Sequence, residues 1–222
     1  MKRLRNREFA VIGLGRFGSG IALSLEANGH HVLGLDQDPE IVQQLADRIT
    51  HVAALDATDE KALQAVDITA FDTVIVAIGN DFEANLLTTV SLKNLGVRHI
   101  ICKVLTRRQR QILLQVGADR AIQPEFDAGQ RLADELSAPA ILERIPLGPN
   151  HSIAELLVPA DLKHQSLAQI DLRNRYGVTV LLVKRGNELD VSPPANFVLQ
   201  PDDLLVVMGS NDRVEAFCHH ES

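Results

Sequence analysis

The first 138 residues predict an α/β domain built on a parallel, doubly wound, Rossmann-like six-stranded sheet; the remainder predicts a small α+β domain. Three observations carry this. The apolar residues 9–12 pass directly into Gly13-Leu14-Gly15-Arg16-Phe17-Gly18, and Ile21, Ala22, Leu23 and Leu25 follow at near-helical spacing. Five more apolar runs then alternate with helical patterns within ~135 residues, which leaves room only for crossover connections between parallel strands. After Ser137 the pattern shifts to alternating strands separated by turn residues. Pro139, Pro146, Gly148 and Pro149 mark a linker or crossover over 139–151, and the second domain follows over 152–222.

In chain order, the first strand is predicted over 8–12 and the first helix over 17–28, stopped by Gly29. A second strand over 31–35 ends at Asp36. Asp38 then caps a helix with Pro39 at its first position and Ile41, Val42, Leu45 and Ile49 on its apolar face. Residues 51–55 form a third strand, followed by a helix capped by Thr58 or Asp59. The unbroken apolar run 73–78 reads as a strand buried on both faces. A helix from about 82 to 94 ends at Gly96, and a fifth strand covers 99–104. Thr106 caps the next helix, which Gly117 ends; a sixth strand covers 118–123, and Pro124-Glu125 opens a helix to about 136. In the second domain, strands are expected at 152–159, 178–183, 188–192 and 204–208, with a short helix around Leu167, Ile170 and Leu172 and a last helix over 212–218.

Composition narrows the function. The 222 residues are 45% apolar with no Trp and one Tyr, so the core is aliphatic. A net charge of -7 argues against nucleic acid as a partner. The exception is the start, where Lys2, Arg3, Arg5 and Arg7 form either a solvated tail or an arm that touches a partner or membrane surface. No apolar run approaches the ~20 residues that span a bilayer, and no secretory signal core follows the basic start. The expectation is a cytoplasmic protein. Cys102 and Cys218 match no metal spacing, and Cys102 reads as a buried thiol.

Ligands of such sheets bind outside the carboxyl ends of the strands. Glycines, acids and polar residues collect there: residues 13–18, Asp36, residues 56–58, residues 79–81, Lys103 and Glu125. The three glycines permit a tight turn, close approach of a phosphate, and close helix–strand packing. The helix start offers free N–H groups and a partial positive charge. Asp36 lies 18 residues past Gly18 and can accept from both ribose hydroxyls while repelling a 2′-phosphate, which disfavours NADP. Its competing role is a loop or capping acid. Arg16 at the helix start opposes the local dipole, which a strongly anionic ligand explains; otherwise it is a solvated arginine. Phe17 is core packing or, less in keeping with its place, a base-stacking ring. Asp56 and Thr58 lie at the adenine or ribose edge, or cap the next helix. Lys103 reaches a phosphate or snorkels from a strand end. Glu125 is a favoured acid at a helix start or a carboxylate ligand for a cation riding on phosphates.

No catalytic set emerges. The eight histidines form no His-Glu-x-x-His pattern, and there is no Gly-x-Ser-x-Gly or Gly-Lys-Ser/Thr motif. An NAD(H)-dependent oxidoreductase remains the second reading, with the missing catalytic residues against it. A redox-sensing DNA-binding regulator ranks third, for want of a basic recognition helix.

Residues 9–18 resemble the opening of the RCK family, the cytosolic regulators of Trk/Ktr potassium uptake systems. Ala77-Ile78-Gly79, Gly117-Ala118-Asp119-Arg120, Pro124-Glu125, Tyr176-Gly177-Val178 and Met208-Gly209 are similar to further family signatures, in its KtrA/TrkA-type branch. The resemblance implies a non-enzymatic subunit, peripheral at the inner face of the cell membrane, that binds ATP, ADP or NAD(H). It implies homodimers assembled as a tetramer-of-dimers ring beneath a dimeric membrane potassium-translocating subunit, gated by nucleotide exchange. Carried over by position, Gly13, Gly15 and Gly18 would cradle the phosphates with Leu14 and Phe17 in the same loop, Asp36 would hold the ribose, and Arg16 would sense the γ-phosphate. Asp56, Ala57, Thr58, Ala77, Ile78, Gly79, Asn80, Asp81 and Lys103 complete the nucleotide site, and Glu125 places a divalent or sodium cation. Leu55 stands where the family often has glycine. Some members bind cyclic di-AMP in the C-terminal domain; no residue set here is specific to it.

Overall fold

The computed structural model describes residues 7–137 and 141–218. Lys2, Arg3, Arg5, Pro139 and the terminal His219-His220 pair lie outside the described residues. The chain divides into two compact units between Asp127 and Ala128.

The first unit begins with β1 (Glu8–Ile12), α1 (Arg16–Ala27), β2 (His31–Asp36) and α2 (Pro39–Leu45). It continues with β3 (His51–Ala54), α3 (Glu60–Ala65), β4 (Thr73–Val76) and α4 (Phe82–Leu95). β5 (Ile100–Lys103), α5 (Arg107–Val116), β6 (Arg120–Ile122) and α6 (Pro124–Ser137) complete the order, and the division of the chain falls within α6. The sheet order is β3-β2-β1-β4-β5-β6, with every pairing parallel. Alternation along the strands sorts side chains into two cores, one on each face. Ala10, Ile12, Leu33, Leu35, Val74, Val76, Ile100 and Cys102 pack with Leu63, Leu92 and Leu113 from α3, α4 and α5. Val11, Val32 and Ile75 pack on the other face with Ala22 and Leu45 from α1 and α2. The sheet is thus covered on both faces, which is why its strands read as continuous apolar runs.

Several boundaries differ from expectation. α2 ends at Leu45, and Ile49 joins the core from the turn beyond it. β4 ends at Val76 rather than residue 78, because the chain turns out of the ladder there. Asp59, not Thr58, caps α3 by accepting from the Lys61 N–H.

The second unit corrects the expected linker. Within 139–151 lies β7 (Ile141–Pro146), antiparallel to β8 (His151–Leu157). β7 is an edge strand of the order β10-β9-β11-β8-β7. An edge strand tolerates Pro146, so Gly148 and Pro149 punctuate a hairpin rather than a linker. α7 (Leu167–Ile170) and α8 (Leu172–Arg175) replace the single short helix, broken at Asp171, whose φ is 49°. β9 (Thr179–Arg185), β10 (Glu188–Val191), β11 (Leu204–Ser210) and α9 (Asn211–Cys218) complete the unit. Its own core joins Ala154, Leu156, Val183, Leu205 and Val207 of the sheet to Ile170, Leu172, Val214 and Phe217. Asp203 is buried and accepts from Arg185 Nε and NH2, each at 2.7 Å, and from the Gln200 N–H at 2.8 Å.

Candidate functional site

The glycine turn is held from both sides. Gly13, with φ 88°, donates its N–H to the Leu35 carbonyl at 2.7 Å. Leu14 N–H donates to Asp36 Oδ2 at 2.6 Å, and Asp38 N–H donates to Asp36 Oδ1 at 3.0 Å. Asp36 therefore braces the loop as well as lying beside it, and its carboxylate keeps lone pairs for a ribose because each oxygen accepts one of these bonds. At Gly18 a methyl group would overlap the Gly13 carbonyl oxygen and stand 3.1 Å from the Ala77 methyl; strand and helix meet there backbone to backbone.

Gly15 is the N-cap of α1 and supplies no side-chain acceptor, and the first turn contains no acid. Ser19 N–H to the Gly15 carbonyl is the first helical bond, so the N–H groups of Arg16, Phe17 and Gly18 precede it. By contrast α2, α3, α4, α5 and α7 are capped by Asp38, Asp59, Asp81, Thr106 and Ser166. A methyl group at Gly15 would meet nothing within 4 Å. The positive end of α1 thus opens onto free space, with the exposed Arg16 beside it. These features fit an anion such as a nucleotide phosphate.

The neighbouring strand ends close around this opening. Ala77 N–H donates to the Ile12 carbonyl at 2.7 Å, placing Ala77, Ile78 and Gly79 next to the glycine turn. Lys103, at the end of β5, has a side chain 12% exposed. Its ammonium lies 2.6 Å from Glu125 Oε1 and 5.5 Å from the Phe17 ring centroid, packed over Gly79. Phe17 is thus half-buried against both the core and this lysine. The Glu125 carboxyl lies below its ordinary pKa, first because Lys103 donates to it, and also through the Arg16 guanidinium. Arg16, Lys103 and Glu125 therefore form one electrostatic group at the mouth of the turn.

Other expected residues serve their own turns. Asp56 Oδ1 accepts from the Thr58 hydroxyl at 2.7 Å and the Thr58 N–H at 2.9 Å, and these bonds lower its pKa. Ala57 is buried, and its carbonyl accepts from the Thr88 hydroxyl. This turn adjoins Asp36, whose carbonyl accepts from the Leu55 N–H at 2.9 Å. Asn80 is exposed, and Asp81 accepts from the Ala84 N–H as the cap of α4. Glu125 fits poorly as a cation ligand within one chain: its carboxylate is paired with Lys103, and no three His, Cys, Asp or Glu side chains among the described residues form a metal-holding group.

One contributor went unnoticed in the sequence. Asn85 is buried on α4 and donates its amide to the Ile78 carbonyl at 2.7 Å and the Lys103 carbonyl at 2.9 Å. It ties the ends of β4 and β5 together beneath the opening. The signal was a polar set at helical spacing, Asn85, Thr88 and Thr89, on a face that meets the sheet. Cys102 is buried against the Thr89 hydroxyl, and burial pushes its thiol pKa up to about 11.

Two family models match the chain: the TrkA-N domain over residues 9–124 and the TrkA-C domain over 153–220. The chain is 37% identical to Ktr system potassium uptake protein C of Bacillus subtilis (strain 168), over 95% of this chain and 96% of the relative. It is 38% identical to Ktr system potassium uptake protein A of the same organism over 98% of each chain. Protein A of Vibrio alginolyticus is 34% identical over 94% of this chain and 95% of its own. Among solved structures, the GsuK RCK domain shares the fold with a TM-score of 0.64 at 18% identity, covering 99% of this chain and 49% of the GsuK chain. The NAD(P)-binding domain of an exopolyphosphatase-related protein from Archaeoglobus fulgidus gives 0.53 at 25% identity, covering 59% of this chain and 98% of that one.

Proposed function

The chain belongs to the TrkA-N/TrkA-C family, and from that premise we propose that it is a nucleotide-sensing regulatory subunit of a potassium uptake system. It acts on a membrane potassium-translocating partner rather than on a substrate of its own. Among the described residues no helix is long and apolar enough to cross a membrane, so in this reading transport belongs to the partner. The observation that carries the reading is the uncapped positive end of α1, open above Gly15, in a chain matched almost end to end by Ktr proteins.

A ligand regulates only through its different affinity for two states. ATP and ADP differ by one phosphate, so a gate needs groups beyond the helix terminus that register it. Arg16 and Lys103 are those groups in this reading, and Asp36 selects an unphosphorylated ribose. Copies of the chain assemble as dimers into a ring whose shape follows the nucleotide. Relatives over 94% or more of the chain are potassium uptake proteins, which favours this reading over an NAD(H)-dependent oxidoreductase.

The test is thermal unfolding with ATP, ADP, NAD and NADH, each with light scattering. A ligand at a hundred times its Kd stabilises the folded state by about 2.7 kcal/mol. ATP and ADP are expected to raise the unfolding temperature and to give scattering profiles that differ from each other. Indifference to all four nucleotides overturns the proposal.

A further inference from the structure

We propose that Glu125 is an internal stand-in for a ligand's distal phosphate: it occupies Lys103 in the empty site, and an incoming polyphosphate displaces it. The inference rests on the nucleotide-sensing reading and adds to it a competitor built into the chain.

The geometry is specific. Lys103 is 12% exposed, and its ammonium meets Glu125 Oε1 at 2.6 Å while the Phe17 ring lies 5.5 Å away. Phe17 is in the first turn of α1, so this ammonium lies against a side chain of that turn rather than on a remote surface. Arg16 acts on the same carboxylate, lowering its pKa after the larger effect of Lys103. Two cations and a helix terminus around an open turn would repel one another without an anion, and Glu125 supplies one. The partners differ in mobility. Lys103 is anchored, because its carbonyl accepts from Asn85 and its stem packs over Gly79. The Glu125 side chain is 63% exposed and free to swing outward.

Displacement costs little on the Glu125 side. The residue stands in the first turn of α6, where an acid is favoured by the helix dipole even when unpaired. A phosphate oxygen replaces a carboxylate oxygen on the same ammonium, so the partly buried lysine is never left without an anion. In this proposal a ligand with a single phosphate is held by the α1 terminus alone and leaves the pair intact. A diphosphate or triphosphate breaks it and sets free the first turn of α6.

Calorimetry with AMP, ADP, ATP and inorganic tripolyphosphate, all in EDTA, tests this. Glu125→Gln removes the competitor, so ADP, ATP and tripolyphosphate are expected to bind about fivefold tighter, with AMP unchanged. Lys103→Gln is expected to weaken ADP and ATP toward AMP. Adding Glu125→Gln to Lys103→Gln should then change nothing, because the competitor has lost its target. Unchanged or weaker polyphosphate binding by Glu125→Gln overturns the inference. So does equal tightening of AMP, which would mark a general charge effect. If Lys103→Gln fails to fold, the Glu125→Gln measurement decides alone. Wild-type protein that binds none of the four probes would bring down the nucleotide reading and this inference with it. Wild-type binding with an indifferent Glu125→Gln would remove only the inference.

Discussion

Replacing Gly15 by alanine should separate ligand binding from folding, and replacing Gly18 should not. Gly15 has φ -63° and ψ -172°, a conformation alanine adopts freely, and its new methyl would meet nothing within 4 Å. Restricting the unfolded chain gains ~0.4–1 kcal/mol. Alanine is a poorer N-cap than glycine, a loss of similar size. The two effects nearly cancel, so stability should change by less than ~0.5 kcal/mol. The methyl nevertheless stands where a phosphate approaches the backbone, and ADP affinity should fall by about tenfold or more. At Gly18 the methyl would overlap the Gly13 carbonyl oxygen, with the Gly13 carbonyl carbon at 3.0 Å and the Ala77 methyl at 3.1 Å. Backbone on one side and a buried methyl on the other cannot give way without moving α1. That variant should lose ~1–3 kcal/mol or more and its ligand together. Urea unfolding read beside calorimetry with ADP is the assay. ADP binding by the Gly15 variant at wild-type strength would refute the assignment of the phosphate to this turn. A loss of more than ~1.5 kcal/mol in that variant would refute the account of open space above it.

Further predictions concern separate features. Arg16→Ala removes an exposed side chain, so stability should hold within ~0.5 kcal/mol while the preference for ATP over ADP falls; an unchanged preference in calorimetry would end its role as phosphate sensor. Asp203 tests the second unit. Burial pushes its pKa up, but Arg185 and the Gln200 N–H outweigh this and hold it below the ordinary carboxylate value. A depressed folded pKa stabilises above the unfolded value of about 3.9, and this contribution is lost as pH falls through the folded pKa. Asp203→Asn should therefore cost about 2–3 kcal/mol at pH 7, and flatten the acid limb of a thermal-unfolding series taken down to pH 2.5. A parallel pH profile for variant and wild type would refute it.

The doubly wound unit was legible because its signals are local. Residues 9–12 must be apolar to lie inside a covered sheet, and Gly13 and Gly18 must lack side chains to turn and to touch. Asp38 and Thr106 announced their helices because a cap is a contact between near neighbours. The span 139–151 was misread for the opposite reason. Prolines and a glycine look alike in a linker and in an edge hairpin, and only the pairing of β7 with β8 separates the two. Asn85 escaped notice because its partners, the Ile78 and Lys103 carbonyls, lie 7 and 18 residues away, where no spacing rule applies.

By itself the sequence determined the order of strands and helices in the first unit, the glycine turn with Asp36 beside it, and the family. Each is written in periodicity, glycine placement or motif, all short-range properties of the chain. Tertiary structure decided what the charges do. The sequence offered Lys103 and Glu125 as two separate candidates, one for a phosphate and one for a cation. Folding brings the end of β5 against the start of α6 and joins them at 2.6 Å beside Phe17. Coulomb attraction depends on distance through space, and a sequence reports only distance along the chain.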